Sequence, residues 1–184
     1  QDLYRLNLLK NFALMFFCPL RIDCHASIDR AGGERSIFTL CLLLLYLLSC
    51  DGWELWVLGT AVLFHELGHL AALRVCGVRF RGLSLGEAGP LIGCGALSTS
   101  REEGLTALSG PLAGLLWALL ASAFPIVHRE EAAAVSLLMS LFNLLPIPES
   151  DGGRIFLALG GSAVLLRRCG AVILSVLTLL CLRR

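Results

Sequence analysis

Residues 55 to 75 form an apolar run long enough to reach across a hydrocarbon core of about 30 Å, yet its C-terminal half carries His65-Glu66-Leu67-Gly68-His69. No other feature of the chain restricts its fold as strongly. A helix that is apolar all round belongs in a membrane, and ionisable groups inside it must face a bundle interior or a water-filled cavity. At helical spacing the two imidazoles, at i and i+4, fall about 40° apart on one face. Both can then reach a single tetrahedral Zn²⁺, with Glu66 beside them as general base. The competing reading of H-E-x-x-H, two helix histidines making interfacial hydrogen bonds, leaves Glu66 unexplained. A charged carboxylate at that depth costs on the order of 3 kcal/mol unless a cation or partner offsets it.

Composition points the same way. Of the 184 residues 57% are hydrophobic and 16% charged, with a mean hydropathy of +0.79. A soluble domain runs nearer to about 45–50% apolar and about 25% charged, so an integral membrane protein is expected. The net charge of +1 offers no basic face for phosphates and excludes nucleic acid as a partner. Eight cysteines are present, but no pair forms C-x-x-C. Cys41, Cys50, Cys76, Cys169 and Cys181 sit in or beside apolar runs and read as packing residues. Cys18 and Cys24 flank a short polar stretch near His25, a weaker coordination candidate. The chain opens on Gln1, as expected of a trimmed or incomplete N-terminus, and residues 8 to 20 resemble a signal core without its cleavage site.

The pattern along the chain predicts an all-α polytopic membrane protein, a helix bundle of about four to six transmembrane segments. Residues 1 to 36 form an N-terminal segment of unassigned role, with a polar loop over 21 to 36. Residues 37 to 154 form the core, and 155 to 184 add one or two C-terminal membrane segments broken by Arg167-Arg168. Within the core, spans are expected over 37 to 49, 55 to 75, 105 to 127 and 132 to 145. Asp51-Gly52-Trp53-Glu54 reads as a tight acidic turn. After the motif helix, the alternation through Val78, Phe80, Leu83 and Leu85, followed by Gly86, Gly89 and Pro90, predicts a small β-hairpin or re-entrant loop. Gly110-Pro111-Leu112-Ala113-Gly114 sets small residues four apart, which permits close helix packing in lipid.

Arginines set the orientation. Arg30, Arg35, Arg74, Arg79, Arg81 and Arg154 fall on one side, whereas the turns at Asp51, Glu54, Glu130 and Glu131 carry acids against Arg129. The positive-inside rule assigns the first group to the cytoplasm. His69 and Asp151 then share the cytoplasmic side. A catalytic zinc takes three protein ligands and keeps one position open. His25 and His128 lie in expected loops, so Asp151 is the best third ligand, delivered by a helix end broken at Pro146 and Pro148. The plain alternative for Asp151-Gly152-Gly153 is a turn.

His65 to His69, taken with the segment from Asn143 through Pro146, Pro148 and Asp151 to Arg154, resembles the site-2 protease family of intramembrane zinc metalloproteases. The nearest match is the small, sporulation-factor-processing stage IV FB-like branch. The likeness covers residues 37 to 154, including the Gly110-Pro111 segment. It implies that His65, His69 and Asp151 bind one Zn²⁺, that Glu66 activates water, and that Asn143 holds the scissile peptide or its oxyanion. It further implies a multi-pass protein of a bacterial cell membrane with its site toward the cytoplasm. The implied partners are a membrane-spanning or membrane-tethered protein substrate, such as a transcription-factor precursor in regulated proteolysis, the lipid bilayer, and a regulatory membrane partner. Val78, Phe80 and Leu83 would pair with an unwound substrate by strand addition.

The chain departs from the family pattern at Glu149 and Ser150, where apolar residues or proline are usual, and Glu149 offers a competing carboxylate. Residues 77 to 101 are too few for the PDZ domain of larger members, and no appended nucleotide-sensing domain is expected after Arg184. The alternative function is a catalytically silent zinc-binding membrane protein that holds client helices. A serine-protease pairing of Ser109 with His128 is disfavoured, because His128 falls on the opposite side of the membrane.

Overall fold

The computed structural model describes residues 21–23, 51–78, 80–86, 89–94, 99–148 and 150–182. The span expected over 37 to 49, Cys18, Cys24, His25 and Glu149 lie outside the described residues, as does all of 1 to 36 except Arg21–Asp23. The described body is helical, with five helices: α1 (Gly52–Val75), α2 (Ser100–Ala123), α3 (Arg129–Asn143), α4 (Asp151–Ala158) and α5 (Ala163–Leu182). Three of them, α1, α2 and α5, are long and apolar enough to cross a membrane, which suggests a membrane protein.

Helix boundaries follow local chemistry more than hydropathy. Asp51 and Glu54 are the start of α1 and not a separate turn. Asp51 is the N-cap, and its backbone N–H donates to the Glu54 carboxylate at 3.3 Å. At the other end, Val78 N–H bonds the Leu73 carbonyl at 2.9 Å and Gly77 N–H bonds the Arg74 carbonyl at 3.2 Å. This paired closure is a Schellman motif, and Gly77 takes the positive φ of 70° that it requires. Helix α2 begins five residues ahead of the expected start, because Thr99 caps it by accepting from Glu102 N–H at 3.2 Å. It ends at Ala123, with Phe124 extended in front of Pro125. Helix α3 has only 15 residues, about 22 Å at 1.5 Å per residue, and falls short of a crossing by itself. The tail resolves into the short α4, a turn through Gly160 at φ 87°, and α5, whose Arg167 and Arg168 sit near its N-terminal end.

Strands β1 (Arg21–Asp23), β2 (Phe80–Gly86) and β3 (Gly89–Cys94) form a sheet of order β1-β3-β2. Strands β2 and β3 run antiparallel with Leu83 opposite Ile92, and β1 joins β3 in parallel with Ile22 opposite Ile92. The sequence reading of 21 to 36 as loop is thus corrected at its first three residues. Three residues are too few to show alternation, and pairing supplies what pattern does not.

Glycines let the helices meet. A Cβ on Gly68 would overlap the Ser109 carbonyl and stand 2.7 Å from the Ala113 Cβ, so α1 and α2 cross there backbone to backbone. Val57, Leu58 and Ala61 of α1 pack with Ala121 of α2 and with Ala132, Val135 and Met139 of α3 to form the core. Leu63, Leu67, Leu112, Leu116 and Leu119 point outward and stay exposed, as residues facing lipid must. In α5 only 11% of the spanning window is buried, against 39% in α1 and α2, which makes α5 the peripheral helix.

Gly68→Val should therefore destabilise the bundle by about 1–3 kcal/mol through overpacking. Gly59→Ala, where a Cβ meets nothing within 4 Å, should be neutral or stabilising by up to about 1 kcal/mol. Thermal unfolding in detergent reads both, and equal Tm values for the two variants would contradict the crossing.

Candidate metal centre

His65 and His69 occupy successive turns of α1, about 9–15 Å from its C-terminal end, and both are buried at 1% exposure. Their Nε2 atoms lie 3.1 Å apart. Asp151, the first residue of α4, brings its Oδ2 to 3.2 Å from each of them. An ion with ligand bonds of about 2.0–2.1 Å in tetrahedral geometry sets its ligand atoms about 3.3–3.4 Å apart. The three atoms form a triangle of nearly that size, and together they could hold a metal ion.

The surrounding groups prepare these atoms as ligands. The His69 Nδ1–H donates to the Thr106 carbonyl of α2 at 2.8 Å, which leaves the Nε2 lone pair directed at the other two ligands. Thr106 also accepts from the Ser109 hydroxyl at 2.6 Å. Gly110 makes room for the ring itself, because a Cβ there would overlap the His69 imidazole. Pro111, buried in the same turn, removes one backbone N–H from the α2 ladder. The pair of small residues anticipated as a helix-packing motif thus serves the site: Gly110 seats an imidazole, and Gly114 faces the Ser140 hydroxyl of α3.

Asp151 is held by its own local frame. The Asp-Gly-Gly segment is the first turn of α4 and not a free turn. Ser150 caps that turn, accepting from Gly153 N–H at 3.1 Å, while its single hydroxyl proton is shared between the Leu145 and Ile147 carbonyl oxygens, 2.5 and 2.9 Å from Oγ. Gly152 and Gly153 lie so close to the Leu144 and Ile147 carbonyls that any side chain would collide. The polar departure at Ser150 therefore acts on the backbone and aims Asp151. The Oδ2 atom of Asp151 faces the Nε2 atoms of both histidines. Arg154 approaches its second oxygen at 3.8 Å. The Asp151 side chain keeps 11% exposure against 1–2% for the histidines, so solvent approaches from the α4 side.

Glu66 is buried next to the pair at 6% exposure, within electrostatic reach of His69. Asn143 is buried at the last residue of α3. His128 stacks on Trp53 at the far end of α1, with ring centroids 4.7 Å apart, and takes no part in the cluster. Phe80 and Leu83 lie in β2, an edge strand among the described residues, whereas Val78 is used in the Schellman turn. Sequence reasoning missed the Thr106 carbonyl, the Ser150 cap and the Arg154 contact. Only the last had a local signal, the i+3 spacing from Asp151.

No family model, no curated protein and no solved structure matches this chain. The reading of the centre rests on its own geometry.

The purified protein should carry one divalent ion per chain, with affinity falling as pH is lowered and the ligands gain protons. Gly110→Ala, by displacing the His69 ring, should weaken metal affinity about 10–100-fold. Elemental analysis with chelator competition measures both. An unchanged affinity would show that the Gly110 contact does not position the ligand.

Proposed function

We propose that this chain is a zinc-dependent intramembrane endopeptidase of the site-2 protease type. The observation that carries the reading is the convergence within 3.1–3.2 Å of His65 and His69, buried in the membrane-length α1, with Asp151 from the short α4, and with Glu66 one residue from the first ligand. Two nitrogens and one carboxylate oxygen form a ligand set that suits zinc and leaves a fourth position for a reactant. Bound there, zinc supplies Lewis acidity toward the scissile carbonyl and lowers the pKa of water beside it.

The chain's residues do the remaining work. The Glu66 carboxylate takes the proton from the attacking water and returns it to the leaving amine. Thr106 and Ser150 hold the His69 imidazole and the Asp151 carboxylate in the orientations described above. Asn143 steadies the peptide oxygen from the end of α3. A substrate helix must unwind before attack, since its backbone groups are all internally bonded. The side of β2 away from β3, unpaired among the described residues, supports a role as the edge that receives the unwound strand. The substrate is a membrane-spanning or membrane-tethered protein, cleaved in regulated proteolysis, with the site toward the cytoplasmic face of a multi-pass protein.

Glu66→Gln should lower cleavage of a membrane-anchored substrate by about 10²–10⁴-fold while zinc content stays at one equivalent. Zinc chelators should abolish activity and serine-directed reagents should not. Full cleavage by the Glu66→Gln protein would sink the mechanism, and tight zinc binding without cleavage of any tethered substrate by the unmodified protein would favour a silent client-holding role.

A further inference from the structure

His69 and His65 are not equally provided for. The first donates its Nδ1–H to Thr106. The second is buried at 1% exposure, and its Nδ1 has no hydrogen-bond partner among the described residues. For Nε2 of a neutral imidazole to ligate, the proton must reside on Nδ1, and that N–H then needs an acceptor. A buried donor without one costs about 1–3 kcal/mol.

Ser140 of α3 has the complementary defect. Its hydroxyl is fully buried and has no partner among the described residues, although a helical serine can ordinarily bond the carbonyl one turn back. Gly114 connects the two: a Cβ placed there would overlap the Ser140 hydroxyl and lie 3.9 Å from His65 Nδ1. The Ser140 hydroxyl thus sits where a side chain at 114 would stand, beside the orphaned His65 Nδ1. We propose that Ser140 is a positioning residue for the metal centre, accepting the His65 Nδ1–H across the Gly114 gap, either after rotation about χ1 or through one water. A hydroxyl suits the role because it accepts and donates at once, and its own proton can return to an α3 carbonyl. This inference rests on the metal-binding reading of the centre and not on proteolysis.

The test is zinc affinity of the purified full chain, measured by chelator competition, with the visible spectrum of the Co²⁺-substituted protein as a second readout. Ser140→Ala should weaken zinc binding about 10–100-fold and alter the Co²⁺ spectrum, with Tm of the metal-free protein little changed. Ser136→Ala, which removes another buried, unpartnered hydroxyl one turn earlier on α3, should leave both readouts as in the unmodified chain. The exchange variant G114S/S140A delivers a hydroxyl to the same space from the opposite helix. A Cβ at 114 stands 3.7 Å from the Ser140 Cβ, so the exchange fits, and it should recover most of the lost affinity. Ser140→Ala binding zinc within twofold of the unmodified protein would overturn the proposal while leaving the metal centre intact. An unmodified chain that binds no zinc would overturn both.

Discussion

Two imidazoles and a carboxylate, drawn to within 3.1–3.2 Å of one another inside an apolar bundle, repel each other's lone pairs unless a cation stands among them. That convergence is the constraint on which the rest of the architecture depends. Lipid offers such groups no hydration, so a polar atom left among them without a partner is costly. Helix α2 comes close enough to offer the Thr106 carbonyl only because Gly68 and Gly110 lack side chains. Helix α4 presents Asp151 only because Ser150 caps it and two glycines let its backbone lie on the Leu144–Ile147 stretch. Large leucines do the opposite job, facing outward where close approach is not needed.

The parts of the site that a residue pattern can encode were legible. Helical spacing placed His65 and His69 on one face, and the proline-broken end of the following segment suggested Asp151 as the third ligand. Arginine distribution assigns both to one side of the membrane. Helix ends were read less well, because hydropathy marks where lipid begins and capping marks where a helix does. Thr99 and Asp51 are polar, so they fell outside the apolar runs although they begin the helices. Acceptors supplied by main-chain carbonyls, as at Thr106, carry no residue signature whatever. Contacts made by the absence of atoms, as at Gly110 and Gly114, show only that some close approach exists, not which group makes it.

The same asymmetry explains why the Asp-Gly-Gly segment was open to two readings. As a string it fits a turn, and turns rarely need consecutive glycines to be buried. In the structure both glycines are buried and their missing side chains would strike carbonyl oxygens. A demand of that kind comes from tertiary packing, which no local window contains.

His69 and Asp151 are separated by about 80 residues of chain, so an ion that joins them closes a long loop. Loop closure of that length removes substantial freedom from the unfolded ensemble, and the cost rises only slowly with length. Ion binding and tertiary assembly are therefore thermodynamically linked, with free ion stabilising the assembled bundle in proportion to the logarithm of its concentration over Kd. Before α4 docks, α1 in the bilayer holds two histidines and a glutamate with no third ligand. An ion bound there would therefore act on the assembly of the bundle, rewarding only the chain in which α4 has docked against α1.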